Sequence, residues 1–119
     1  MAVIEGTDFI SLPTRDLERS TRFYGETLGL ARSERDTDFV GFDAGEVTVL
    51  LVDPDAIGVA FSPNRNGFAL RVSDVDEVRR ELEAKGVQFF GDVVDTGVRQ
   101  MAFFADPDGN GLVLHRRTA

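Results

Sequence analysis

The chain has 119 residues, a formal net charge of −8, an apolar content of 42% and no cysteine. This length predicts a single domain over 1–119, and the missing cysteines exclude disulfides, thiolate chemistry and zinc sites built on sulfur. The acidic balance argues against nucleic acid as a partner, because phosphate contacts need a basic surface. No apolar run approaches the roughly 20 residues that cross a bilayer, so we expect a cytoplasmic protein without a membrane partner.

The first half of the chain predicts a strand, a helix and three further strands. Alternating apolar residues indicate the first strand at 7–13. A helix follows, with Asp16 as its N-cap, Gly29 as its left-handed stop and apolar residues at helical spacing between them. Tyr24 lies on the apolar face of this helix, which favours a packing role over a chemical one. The three further strands are predicted at 31–36, 38–42 and 46–52.

The second half of the chain repeats this order. Prolines, aspartates and an asparagine break any strand pattern at 54–65, which indicates a linker. Beyond it we expect a strand, a helix capped by Ser73 or Asp74 and ended by Gly86, and three more strands. These last strands are predicted at 88–94, 99–105 and 111–116.

The run D-P-D-G-N at 106–110 has a spacing that invites a calcium-binding interpretation. Together with Gly111 and Val113 it matches the first positions of an EF-hand loop. Position twelve of such a loop requires a bidentate glutamate, and this chain has Arg117 there. The flanking segments are also predicted strands, so a tight turn between two strands is the better interpretation.

A unit that occurs twice, about 58 residues apart, predicts an α+β fold of two tandem βαβββ modules. The first module covers about 6–53 and the second about 66–117, with the linker at 54–65 between them. We expect each helix to cover the outer face of a curved sheet. The opposite sheet faces would then enclose a cleft between the modules.

Three segments carry a resemblance to a known family. They are D-L-E-R-S-T-R-F-Y-G-E-T-L-G-L at 16–30, D-V-D-E-V-R-R-E-L-E-A-K-G-V at 74–87, and F-F-A-D-P-D-G-N-G-L-V-L at 103–114. Together they resemble the vicinal oxygen chelate superfamily, which contains glyoxalases, extradiol dioxygenases, fosfomycin-modifying enzymes and bleomycin-resistance proteins. The resemblance spans essentially the whole chain and implies paired βαβββ modules, frequently assembled as homodimers.

Metal-dependent members of that superfamily hold their ion with four side chains, usually His or Glu. The resemblance carries these positions to Phe9, Gly67, Val113 and Val49, the last with an uncertainty of one residue. None of the four can bind a cation, because phenyl, hydrogen and isopropyl side chains offer no lone pair. With a single histidine in the chain, we expect neither a metal ion nor another cofactor.

Alternation along the predicted strands assigns side chains to the cleft. Apolar residues dominate this set, which suits a flat aromatic ligand. The polar members would orient the ligand, since an inward arginine needs an anion or a carboxylate as its partner. The predicted ligand-binding residues are Phe9, Ser11, Phe39, Val49, Arg71, Arg99, Met101, Phe103, Val113 and His115.

Each of these residues could instead have a purely structural role. The apolar side chains could collapse into a filled seam or be covered by a partner subunit, and acidic residues of the chain could pair with Arg71 and Arg99. A solitary histidine near the end of a strand, such as His115, is more often a surface residue than a catalytic one. We therefore name no catalytic residue.

The function predicted from the sequence is metal-free binding of a small aromatic or amphipathic molecule, of the bleomycin-resistance type, in which sequestration replaces turnover. One alternative is a glyoxalase-like or dioxygenase-like enzyme that works without a metal or with other ligands. The other is a structural or partner-binding module with a filled seam. We expect the protein to be a homodimer.

Overall fold

The computed structural model describes residues 2–118 and forms two compact units, Met1–Phe61 and Ser62–Ala119. Each unit holds one four-stranded mixed sheet and one α-helix. The predicted α+β fold with two βαβββ modules is therefore confirmed. Over the described range, no helix combines the length and the apolar character that a membrane crossing requires.

The first unit contains one sheet in the order β1-β4-β3-β2. Its elements are β1 (Phe9–Pro13), α1 (Leu17–Arg22), a π-helical segment (Phe23–Thr27), β2 (Arg32–Arg35), β3 (Phe39–Ala44), β4 (Val47–Val52) and a 3₁₀ turn (Pro54–Ile57). Strand β1 runs parallel to β4, whereas the pairs β4–β3 and β3–β2 are antiparallel. This arrangement places β1 and β2 at the two edges of the sheet.

Helix α1 begins where the sequence predicts but does not continue as a regular helix to its end. The Asp16 side chain accepts a hydrogen bond from the backbone N–H of Arg19 at 3.0 Å, which satisfies a free donor of the first turn. After Arg22 the helix widens into the π-helical segment, where the Leu28 N–H donates to the carbonyl of Phe23, five residues earlier. The hydrophobic spacing alone could not show this change of pitch.

The core of the first unit lies between α1 and the sheet. Tyr24 is fully buried, and its ring stacks on Phe42 with 5.9 Å between the ring centroids. This confirms the predicted packing role of Tyr24. The register aligns Leu12 with Leu51 and Leu51 with Val40, so these buried side chains share the face beneath the helix.

The second unit repeats the topology with the sheet order β5-β8-β7-β6. Its elements are β5 (Phe68–Arg71), α2 (Val75–Ala84), β6 (Phe89–Asp95), β7 (Arg99–Ala105) and β8 (Gly111–Arg117). Asp74 caps α2 through a 3.0 Å hydrogen bond from the Glu77 N–H, as Asp16 caps α1. The repeated aspartate therefore has the same local function in both units.

The core of the second unit also lies on the helix side of its sheet. Leu82 of α2 is buried, as are Ala102, Phe104 and Leu112 on the strands that the helix contacts. The Phe104 ring meets the Phe89 ring at a centroid distance of 4.9 Å. Burial of alternate residues on β7 and β8 leaves the intervening residues on the opposite face.

The run at 106–110 is a turn between β7 and β8, as predicted. The Asp106 carboxylate accepts hydrogen bonds from the backbone N–H groups of Asp108 and Asn110 and from the Asn110 side-chain amide, each at 2.9 Å. The Asn110 side-chain oxygen accepts a fourth bond from the Asn64 N–H at 2.9 Å. This network ties the turn to the segment that enters β5.

Candidate functional site

Each sheet has a face opposite its helix, which we call its open face. On the first sheet this face carries Phe9, Ser11 and Phe39 among the predicted ligand-binding residues. Phe9 is 54% exposed, Ser11 is exposed and Phe39 is half-buried. The register brings Phe39 beside Val52 and Ser11 beside Leu50, so the three predicted residues lie in separate rows of this face.

The prediction for Val49 is wrong. Val49 is 0% exposed and lies in register with Ile10 and Phe42, on the face beneath α1. The neighbouring residue Leu50 faces the open side, in register with Ser11. The strand reads V-T-V-L-L-V, and because both alternating sets are apolar, alternation could not distinguish the faces; pairing with β1 decides it.

The open face of the second sheet carries the six other predicted residues. They form successive rows across the strands, because Cα partners in a sheet place their side chains on the same face. One row is Ala69, Val113, Phe103 and Phe90; the next is Arg71, His115, Met101 and Val94; Arg99 and Arg117 form a third. The sequence therefore placed Arg71, Arg99, Met101, Phe103, Val113 and His115 on the correct face.

The first of these rows is apolar across all four strands. Val113 and Phe103 are half-buried at its centre, whereas Phe90 is 58% exposed at the β6 edge. Met101 adds a thioether in the adjacent row. Aromatic and thioether groups together offer a polarisable surface on which a flat ring can stack.

His115 is the polar group at the centre of this open face. It lies between Arg71 on β5 and Met101 on β7, each of which is its Cα partner. Its Nε2 atom is buried and makes no hydrogen bond within the described part of the chain. A buried nitrogen without a partner is destabilising, and an external polar group could pair with this atom once the side chains that cover it move.

Three residues on the open face of the second sheet were not predicted from the sequence as ligand-binding residues: Phe90, Val94 and Arg117. Arg117 has the same alternation as Val113 and His115 on β8, so that signal was available. Phe90 was hidden because the register shifts between Phe90 and Val94, which disturbs the alternation of β6. Val94 escaped for the same reason.

The four superfamily metal positions do not fit a metal ion in this chain. After the correction on β4 they are Phe9, Leu50, Gly67 and Val113, none of which has a donor atom in its side chain. Gly67 also has φ of 73°, and a Cβ built there would lie 3.3 Å from the carbonyl carbon of Gly111. From residue 2 to residue 118, no group of three or more His, Asp or Glu side chains is placed to hold an ion.

Comparison with known proteins agrees with the observed fold. Residues 6–114 match the family model described as the Glyoxalase/Bleomycin resistance protein/Dioxygenase superfamily. An uncharacterized protein of Mycolicibacterium smegmatis is 33% identical over 107 residues, which cover 89% of each chain.

Two solved structures show the same fold. TnmS3, an antibiotic binding protein from Streptomyces sp. CB03234, is 27% identical, with a TM-score of 0.81 over 99% of this chain and 100% of that one. A lactoylglutathione lyase from Agrobacterium tumefaciens is 20% identical, with a TM-score of 0.81 over 94% of this chain and 93% of its own. At that identity the second similarity shows the fold alone.

Proposed function

Since this chain belongs to the Glyoxalase/Bleomycin resistance protein/Dioxygenase superfamily, we propose that it binds a small aromatic or amphipathic molecule without a metal ion. One observation carries this proposal. The open face of the second sheet places the unpartnered Nε2 of His115 beside an apolar surface made by Met101, Phe103 and Val113. A site of this kind stacks a ring and fixes its orientation through one polar contact.

The energetics require more than one sheet face. A ring lying flat on the apolar row buries about 120 Å² of its own surface on that side, which at about 25 cal/mol per Å² stabilises the complex by about 3 kcal/mol. Association costs at least about 4 kcal/mol in lost freedom. A hydrogen bond to His115 and a second apolar surface must supply the difference. Phe9, Ser11 and Phe39 remain part of the proposal as predicted ligand-binding residues.

The similarity to TnmS3 supports binding as the function, because that protein is described as an antibiotic binding protein and the similarity covers nearly the whole of both chains. We propose sequestration of the bound molecule, as in bleomycin resistance, by a cytoplasmic homodimer. Side chains without lone pairs at the four superfamily metal positions are consistent with binding that needs no Lewis acid.

A thermal-shift screen of small aromatic compounds, followed by calorimetric titration of the best compound, tests the proposal. Ligands that bind the native state raise its melting temperature. We expect Phe103→Ser and Met101→Gln to weaken binding at least tenfold. The matched control is Ile57→Ser, because Ile57 is 65% exposed and lies outside both sheets.

Four results would contradict the proposal. Binding that disappears on treatment with a chelator, or one tightly held metal ion per chain, would overturn the metal-free part. Mass spectrometry of the recovered ligand should show that the compound is unchanged. If the protein converts the compound chemically, its function is catalysis and not sequestration. Equal loss of binding in Ile57→Ser would remove the open face of the second sheet as the site.

A further inference from the structure

Three arginines surround His115 on the open face of the second sheet. Arg71 is its Cα partner on β5, and Arg117 follows it by two residues on β8. Arg99 is the Cα partner of Arg117 on β7. Strand spacings of about 4.8 Å across and about 3.4 Å per residue along the sheet put all three Cβ atoms within about 5–8 Å of the His115 Cβ.

This cluster runs against the charge of the chain, which has 21 acidic and 13 basic residues. The paired positions of the same open face hold no aspartate or glutamate, from the row of Ala69 to the row of Arg99. Arg99 and Arg117 are also directly opposite each other on antiparallel strands, where like charges destabilise the pairing. The cluster therefore gives this face a local positive charge within an acidic chain.

The first sheet provides an internal comparison. The row of the first sheet that corresponds to Arg71, His115 and Met101 consists of Pro13, Val52 and Phe39. That sheet forms the same strand order with no cation in the row. The fold of the module therefore does not require arginine and histidine at these places.

We infer that the preferred ligand is an aromatic carboxylate. This inference rests on the proposed function, whose site it makes specific. The ring stacks on the row that contains Val113 and Phe103, and the carboxylate accepts a hydrogen bond from Arg99. A second hydrogen bond, from the Nε2–H of His115, forms once the side chains that cover this atom move. A guanidinium matches the two oxygens of a carboxylate, whereas a cationic ligand meets repulsion at the same place.

The spacing of the rows suits such a molecule. Val113, His115 and Arg117 are alternate residues of β8, so successive rows lie about 7 Å apart. A ring over the first row thus directs a substituent at its edge toward His115 in the second row. The flexible side chains of Arg99 and Arg71 can reach that substituent from the third row and from the β5 side.

Three probes that share one ring system test the inference: 2-naphthoate, the neutral 2-naphthamide and the cationic 2-naphthylmethylammonium. Calorimetric titration of the full chain at low ionic strength should show 2-naphthoate binding at least about tenfold more tightly than the amide, as a charge-assisted hydrogen bond provides. The ammonium probe should bind most weakly. Added salt should reduce the affinity for the carboxylate much more than the affinity for the amide.

Substitutions of single arginines show which residues produce the preference for a carboxylate over an amide. Arg99→Gln should reduce the affinity for 2-naphthoate about tenfold or more and reduce the affinity for 2-naphthamide much less. The retained binding of the amide also shows that the variant folds. Arg71→Gln should act in the same direction, and Arg99→Lys should retain part of the preference. The control is Arg116→Gln, because Arg116 is the neighbour of His115 and Arg117 but is in register with Gln100 on the opposite face.

The outcomes separate the inference from the proposed function. Amide binding that equals or exceeds carboxylate binding overturns the inference and leaves the proposed function standing. An equal effect of Arg116→Gln and Arg99→Gln on carboxylate binding also overturns it. Failure of all three probes to bind counts against the proposed function and against the inference that depends on it.

Discussion

Replacement of Asn110 by alanine tests how firmly the β7–β8 turn is held. Asn110 is 0% exposed, and its amide donates to the Asp106 carboxylate while its oxygen accepts from the Asn64 N–H, both at 2.9 Å. A hydrogen bond to a charged group contributes about 2 kcal/mol and a neutral one about 1 kcal/mol. Asn110→Ala should therefore lower the free energy of unfolding by about 3 kcal/mol, a large part of the 5–15 kcal/mol typical of a domain.

Urea denaturation followed by circular dichroism measures this change. With a slope of about 1.5 kcal/mol per molar, a loss of 3 kcal/mol moves the midpoint down by about 2 M. Asn66→Ala is the matched control, since the Asn66 side chain is exposed, and its effect should stay within about 0.5 kcal/mol. A midpoint shift below about 0.5 M for Asn110→Ala would refute the assignment of the network. A rise in the wild-type midpoint on addition of calcium would equally refute the turn interpretation of residues 106–110.

Two further predictions concern the faces of the first sheet and the β6–β7 hairpin. Val49→Asp should unfold the chain or lower its free energy of unfolding by about 4 kcal/mol or more, because it buries a charge. Leu50→Asp should lower the free energy of unfolding by only about 1 kcal/mol, because Leu50 lies on the open face. Equal effects of the two substitutions in urea denaturation would contradict the corrected face assignment. The pKa of Asp95 is lowered by a hydrogen bond from the Gly97 N–H and then by one from the Gln100 amide. The folded-state pKa is depressed, so Asp95 stabilises the fold above its ordinary pKa and loses this contribution as pH falls through the folded value. The Asp95→Asn variant should thus be less stable than the wild type at neutral pH and equally stable in strong acid. If the two melting temperatures differ by the same amount at every pH, the hydrogen bonds to the Asp95 carboxylate are not the cause of the difference.

The sequence predicted the fold well because the same signals occur twice. Asp16 and Asp74 each precede an amphipathic segment, and the structure shows both as helix caps. Strand β7 was predicted with its observed bounds, Arg99–Ala105. Local chemistry of this kind is set by neighbouring residues and can be read from one chain.

The site could be predicted only where alternation is unambiguous. On β7 and β8, buried residues alternate with Met101, Phe103, Val113 and His115, and the assignment of these four to the face opposite the helix was correct. On β4 both faces are apolar, and Val49 was placed on the wrong side because only the register with β1 distinguishes them. Register is a long-range property that a strand does not carry in its own sequence.

Hydrogen bonds at both ends of the β7–β8 hairpin hold the strands that carry the proposed site. One end of this hairpin is held by the network of Asp106 and Asn110, which also binds the Asn64 backbone. At the other end the Thr118 N–H donates to the carbonyl of Val98 at 2.8 Å. The rows between these ends stand on strands that are fixed at both termini, and rigid elements position binding groups more accurately than loops do. A ligand at the proposed site would meet a face whose ordering cost was met during folding, which lowers the entropic cost of selective binding.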